Sequence, residues 1–178
     1  DLSFAKVENT IMDSIAASDD RVVIHQALKH LVVAGNALVF MGKEGLKLFP
    51  LHRYVLERDG NGNVIEIVTK EKISKKLLPD FEGELTPQPN APGQDGEKDS
   101  EDVDVYTHVR RDNNRFLWHQ EVNDKVIPKS MSKAPIDSTP WLPLRFNTLD
   151  GEPYGRGRVE EFMGDLKSLE ALSQAITE

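Results

Sequence analysis

The sequence predicts an α+β fold, and three patterns carry that expectation. Apolar residues recur at helical spacing near both ends of the chain, at Phe4, Val7, Ile11 and Ile15 and again at Val159, Phe162, Met163, Leu166, Leu169, Leu172 and Ile176. Between the ends the pattern becomes that of short strands. Those strands are separated by Asn, Asp and Gly clusters that suit hairpin turns, so they should pair antiparallel between terminal helices.

The elements follow in order. Residues 1–36 predict an antiparallel helix pair joined by a short acidic turn. The first helix stops near Ser18-Asp19-Asp20, and the second starts with Asp20 as N-cap. It runs through Ile24, Ala27, Leu28, Leu31 and Val32, with Gly35 and Asn36 as its C-terminal cap. Residues 37–79 predict a buried strand at Ala37-Leu38-Val39-Phe40, then a hairpin. Its strands span 48–58 and 64–69 around Asp59-Gly60-Asn61-Gly62-Asn63, residue types that accept the positive φ of a tight turn. A short helical turn at 73–78 ends at Pro79.

Residues 80–102 are rich in Pro, Gly and acidic side chains and have few apolar groups to offset ordering entropy; a flexible acidic insertion is expected. Residues 103–148 predict antiparallel strands at 103–109 and 115–122 turning at Asp112-Asn113-Asn114, a further strand at Val126-Ile127, a loop at 130–139, and a sheet-edge strand at 141–146. Residues 149–178 predict a Gly-rich turn, Gly157 as N-cap, and an amphipathic helix with Glu160 and Glu161 in its first turn and one buried face. That helix reaches Glu178 with no stop signal, and the chain opens at Asp1. Both suggest a piece of a longer polypeptide.

Composition narrows the function classes. Among 178 residues, 22 basic and 30 acidic side chains leave a net charge of -8, which argues against a general nucleic-acid or anionic-membrane binder. It remains compatible with a protein past which DNA must slide without sticking. No cysteine is present, so disulfides, Cys-zinc sites and thiol catalysis are excluded; the absence fits a cytoplasmic or virion setting. No signal peptide and no apolar run of membrane-spanning length is found, and no membrane partner is expected.

Few residues form a chemical constellation. Gly155-Arg156-Gly157 precedes a helix, where phosphates can dock on free N–H groups, but the dinucleotide fingerprint needs Gly where this chain has Glu160. A bend that aims the helix is the simpler reading. The alternative is that Arg156 and Arg158 touch nucleic-acid phosphates or a neighbouring subunit. Asp59, Asn61 and Asn63 alternate as in a calcium loop, but Val64 and Lys70 stand where that motif needs Gly and Glu, so a plain hairpin turn is expected.

His25 and His30 do not share a helical face, while His108 and His119 should meet across the second hairpin without a third ligand. No G-x-S-x-G elbow occurs, and the carboxylates at Glu160, Glu161 and 99–104 resemble solvated surface. Phe116, Trp118 and Trp141 could stack bases but suit a core or subunit interface better. Hence no catalytic residue, cofactor or metal is expected. A structural or interaction role is favoured over a nucleotide-binding enzyme module using the Gly155 turn, or a non-ring adaptor.

Five segments in one order carry a resemblance: HQALKHLVVAGNALVF at 25–40, RYVLERDGNGNVIEIVTKEKI at 53–73, DVYTHV at 104–109, PWLPLRF at 140–146 and LDGEPYGRGRVEEFMGDLKSLEALSQAI at 149–176. The chain resembles the portal proteins, or head-to-tail connectors, of short-tailed bacteriophages, least so at 80–102 and 129–139.

The resemblance implies a structural subunit of a homo-dodecameric ring at one capsid vertex. The packaging motor would thread double-stranded DNA through it, the genome would leave by the same channel, and tail adaptors would dock below. It implies location in the virion, and in the host cytoplasm during assembly. It places these residues in the middle of the wing region and at the start of a helix leading toward the stem, and it implies no ATPase. An acidic channel wall would repel the DNA backbone and keep its passage low in friction.

Overall fold

The computed structural model describes residues 2–78 and 102–177, which form two compact units. The expected flexible insertion at 80–102 lies, apart from Asp102, outside the described residues. Helices at both ends and antiparallel sheets between them make the class α+β, as expected.

The first unit combines residues 1–52 with residues 140–178. It holds α1 (Leu2–Ala17), α2 (Asp20–Ala34), β1 (Asn36–Gly42), β2 (Gly45–Phe49), β9 (Trp141–Arg145), α3 (Arg158–Glu161) and α4 (Met163–Thr177), numbered in chain order. A three-stranded antiparallel sheet in the order β2-β1-β9 is its centre. β1 pairs with β2 through a two-residue hairpin and with β9 from about a hundred positions along the chain, Leu38 lying opposite both Phe49 and Pro143. Pro143 lacks an N–H, and β9 is an edge strand, where that loss is tolerated.

Side chains alternate across β1. Ala37 and Val39 face Ala27 and Leu31 of α2, with Leu46, Leu48 and Leu142 around them. Leu38 lies on the opposite face of β1 and is fully buried. Trp141 is buried as well, its ring centroid 4.4 Å from that of Phe40 and 6.0 Å from that of Phe49.

Three expectations about the helices change. Asp20 begins α2 but does not cap it: the Asp19 carbonyl accepts the N–H of Val22 and Val23, and Asp20 Oδ1 accepts the Leu46 N–H at 2.7 Å. A side chain on Gly45 would meet that carboxylate at 2.9 Å. The packed face of α2 contains Ala27 and Leu31, as expected, but Ile24, Leu28 and Val32 are exposed. The terminal helix breaks at Phe162, whose φ of -104° and ψ of 17° leave the helical region, and its apolar stripe is exposed rather than buried. A period of 3.6 shows that residues share a face; it does not say what covers that face.

The second unit is residues 53–139. It contains β3 (Tyr54–Arg58), β4 (Val64–Ser74), β5 (Asp102–Asp112), β6 (Arg115–Val122), β7 (Lys125–Val126) and β8 (Ser132–Pro135). The sheet order is β3-β4-β5-β6-β7, with β8 also pairing to β6. The pleat places Tyr54, Ile67, Thr69, Val105, Thr107, Val109, Phe116 and Val122 on one face, all buried. The other face carries Glu66, Lys70, Asp104, His108, His119 and Glu121. Lys70 Nζ lies 2.7 Å from Asp104 Oδ2, and that hydrogen bond is the main cause of a raised lysine pKa.

The expected 48–58 strand is two strands, interrupted by Pro50 and a 3-10 turn at Leu51–Arg53. The expected loop at 130–139 contains β8 and a 3-10 turn, Ile136–Ser138. β7 and β8 lie in succession along β6, with a bulge between them that has Lys129 at φ 62°. Ser130 bridges the bulge: its Oγ accepts the Gln120 N–H at 3.0 Å and donates to the Ile127 carbonyl at 2.7 Å. A side-chain hydroxyl thus satisfies the backbone group that the broken ladder leaves over.

Candidate functional site: the Gly155 turn and its arginines

The segment from Asn147 to Phe162 folds against the end of α2 because three glycines let backbones meet there. Gly35 caps α2 in the left-handed region at φ 75°, its N–H donating to Leu31 O at 2.9 Å. A Cβ on Gly35 would lie 2.3 Å from the Arg156 carbonyl carbon, and one on Gly157 would lie 2.2 Å from Val33 O. Gly155 is similarly closed in, with Gly35 O at 2.8 Å from its Cβ position. These contacts are below any tolerable carbon approach, so the two segments can cross only where side chains are missing.

Hydrogen bonds lock the crossing. Asn36 Nδ2 donates to Ala34 O at 3.0 Å and to Gly155 O at 2.6 Å, and Asn36 Oδ1 accepts the Gly155 N–H at 2.7 Å. Gly35 O accepts the Phe146 N–H at 2.9 Å, and Asn147 and Arg156 form a bridge in which Arg156 N donates to Asn147 O at 2.8 Å. Gly157 then caps α3 in extended geometry, as expected, though without a side-chain hydrogen bond.

Both arginines project from this crossing, and both face carboxylates. Arg156 Nη2 lies 2.8 Å from Glu152 Oε1, and its Nε lies 3.5 Å from Glu160 Oε1. The Glu152 hydrogen bond is the main cause of a raised Arg156 pKa. Arg158 Nη1 lies 2.8 Å from Glu161 Oε2, while its guanidinium carbon sits 5.4 Å from the Phe146 ring centroid and 5.9 Å from that of Phe162. Asn147 Nδ2 also donates to Glu161 Oε1. α3 has four residues and two glutamates in its first turn, an electrostatic setting that disfavours a phosphate. The glycine signal was legible in the sequence. Its partner Asn36, 119 positions away, has only the local signature of a helix cap.

The other constellations resolve as local structure. His108 and His119 lie directly opposite, with ring centroids 5.4 Å apart and edge-to-face, as the hairpin register predicts. His108 Nε2 is hydrogen-bonded to Glu66 Oε1, and His119 Nε2 to Glu121 Oε1 at 2.6 Å. His25 is exposed and His30 half-buried on α2. Among the described residues no group of three or more His, Asp or Glu side chains is arranged to hold a metal ion.

Asp59 closes the β3–β4 hairpin. Its Oδ1 accepts the N–H groups of Asn61 and Asn63 at 3.0 and 2.7 Å, and its Oδ2 accepts Asn63 Nδ2 at 2.9 Å. Phe116 and Trp118 belong to β6 of the second unit, and Trp141 to β9 of the first. Phe116 and Trp141 are buried.

The family described as bacteriophage head to tail connecting protein matches over residues 2–178. The portal protein of Escherichia phage T7 is 39% identical over 185 aligned residues, covering 99% of this chain and 34% of that protein. The portal protein of Enterobacteria phage T3 is 40% identical, with the same two shares, and that of Enterobacteria phage SP6 is 31% identical over 97% of this chain and 33% of that protein. The chain therefore spans about a third of the length of these curated relatives. A match along nearly every residue, at this identity, establishes that the chain belongs to the bacteriophage head-to-tail connecting protein family.

Proposed function

We propose that these residues form part of the wing region of a portal subunit, with α4 at the start of a helix leading toward the stem. Identical subunits close into a ring at one capsid vertex. Double-stranded DNA passes through the ring during packaging and ejection, and the motor, capsid and tail adaptors attach to it. The subunit acts as architecture and has no catalytic step, in the virion and, during assembly, in the host cytoplasm. The observation that carries this reading is the identity of about 40% to portal proteins along 99% of the chain. The net charge of -8 supports it, because an acidic lining does not capture a polyanion by counterion release.

Arg156 and Arg158 serve in this reading as subunit contacts in preference to phosphate ligands. Each guanidinium already has a carboxylate within 2.8 Å, so a phosphate would have to displace it, whereas a neighbouring polar surface can add to the pairs. Electron microscopy of the intact polypeptide tests the main claim. Ring-shaped particles with a central channel are expected; monomers alone at high concentration would refute it. Nucleotide affinity that disappears in Gly157→Val would favour the enzyme reading instead.

A further inference from the structure

α4 has no packed face within the described chain: every residue from Glu160 to Thr177 is exposed, including Leu169 at 61% and Ile176 at 83%. At 100° per residue, Leu166, Leu169, Leu172 and Ile176 form one stripe, with Asp165 inside it near the Leu172 edge and Glu170 on the flank beside Leu166. Lys167 lies on the opposite side. The docking face is therefore apolar and acidic.

The first unit offers one surface of opposite character. The outer side of α2 exposes Ile24, Leu28 and Val32 in a row four residues apart, beside Arg21, His25 and Lys29, also four apart and exposed. The acidic residue of that helix, Asp20, is turned to the Leu46 N–H. α1 exposes Phe4, Val7 and Ile11, but Glu8 flanks them, and it would repel Asp165 and Glu170.

We propose that α4 of one copy lays its stripe along the outer face of α2 of a neighbouring copy, with Asp165 and Glu170 facing Arg21 and Lys29. The proposal rests on the ring-subunit reading, and charge complementarity selects α2 as the acceptor. It uses two different patches per subunit, which is what a closing heterologous contact requires.

The test uses the intact polypeptide, free of other cysteines, carrying Leu28→Cys and Leu169→Cys and treated with a short bis-maleimide. A ladder of covalent multimers on a denaturing gel is expected, and either single variant should stop at dimers or below. Rings of the unaltered polypeptide together with cross-linking confined to monomers, or none, would overturn the contact while leaving the ring reading intact. Absence of rings from the unaltered polypeptide would remove both. A second series covers folding defects: Arg21→Glu with Lys29→Glu should raise the concentration needed for assembly about tenfold, and Asp165→Lys with Glu170→Lys should restore it. Failure of the reversed charges to restore assembly, in a protein with unchanged helix content, counts against the pairing.

Discussion

The carboxamide of Asn36 and the peptide of Gly155 are hydrogen-bonded to each other twice, at 2.6 and 2.7 Å, although 119 positions separate them. Asn36 is 3% exposed, so water cannot replace either bond. This pair joins the start of β1 to the turn that carries Arg156 and Arg158, and through it sets where α3 begins.

Asn36→Ala should therefore be among the most destabilising single changes in the first unit. It leaves the Gly155 N–H and C=O without their partner, at about 2–4 kcal/mol for two buried groups. Asn36→Asp keeps the shape but loses the donor, and should cost a similar amount. Urea denaturation followed by circular dichroism measures both; a loss below about 0.5 kcal/mol would show that the crossing is held by other contacts.

Glycines in this chain should split into two groups on substitution by Ala. Gly157→Ala places a methyl 2.2 Å from Val33 O and must force the crossing apart, costing about 3 kcal/mol or more. Gly164→Ala meets nothing within 4 Å near the start of α4 and should raise helix content, worth about 0.8–1.0 kcal/mol in a helix interior. Thermal melts of the two variants should move in opposite directions.

Thr69→Val should stabilise the second unit. Thr69 is fully buried between Tyr54 and Thr107 on neighbouring strands, and its Oγ1 has no hydrogen-bond partner among the described residues. Replacing the hydroxyl by a methyl removes its desolvation cost at nearly constant volume, a gain of about 1 kcal/mol. Thr107→Val is the control, because Thr107 Oγ1 accepts from Gln120 Nε2 at 3.5 Å. A lower midpoint for Thr69→Val would show that its hydroxyl is satisfied in solution.

Asp59 should titrate below the ordinary aspartate value of 3.8, chiefly because Asn63 donates a side-chain hydrogen bond to the ionised carboxylate. A depressed folded-state pKa contributes stability that is present above the unfolded-state value and lost as the pH falls through the folded-state value. The hairpin should thus hold at neutral pH and loosen below about pH 4, the region of an unperturbed aspartate. Carboxyl-detected NMR titration of the intact hairpin checks the direction, and Asn63→Ala should move the midpoint back up.

Much of this was legible in local sequence because it is governed by local physics. Asp59-Gly60-Asn61-Gly62-Asn63 reports its hairpin through residues that tolerate tight turns, and Gly35 reports the end of α2. His108 and His119 meet because a two-residue turn at Asn113-Asn114 sets the register. Other features were hidden because they depend on distant partners. Asp20 has the chemistry of an N-cap, and only the folded β1–β2 turn offers it a better donor in Leu46. Ser130 sits in a stretch with loop composition, yet the bulge makes it part of the ladder along β6.

By itself the sequence determined the class of fold, the turns, the stripes on its helices and, through ordered likeness of several segments, the family. Tertiary structure alone decided that β9 returns to β1, that Asn36 grips Gly155, and that the Ile24–Leu28–Val32 row of α2 and the stripe of α4 are exposed among the described residues. The reason is range. Periodicity and turn chemistry act over a few residues, whereas strand order, buried amide pairing and the covering of an apolar face depend on contacts whose members lie far apart along the chain.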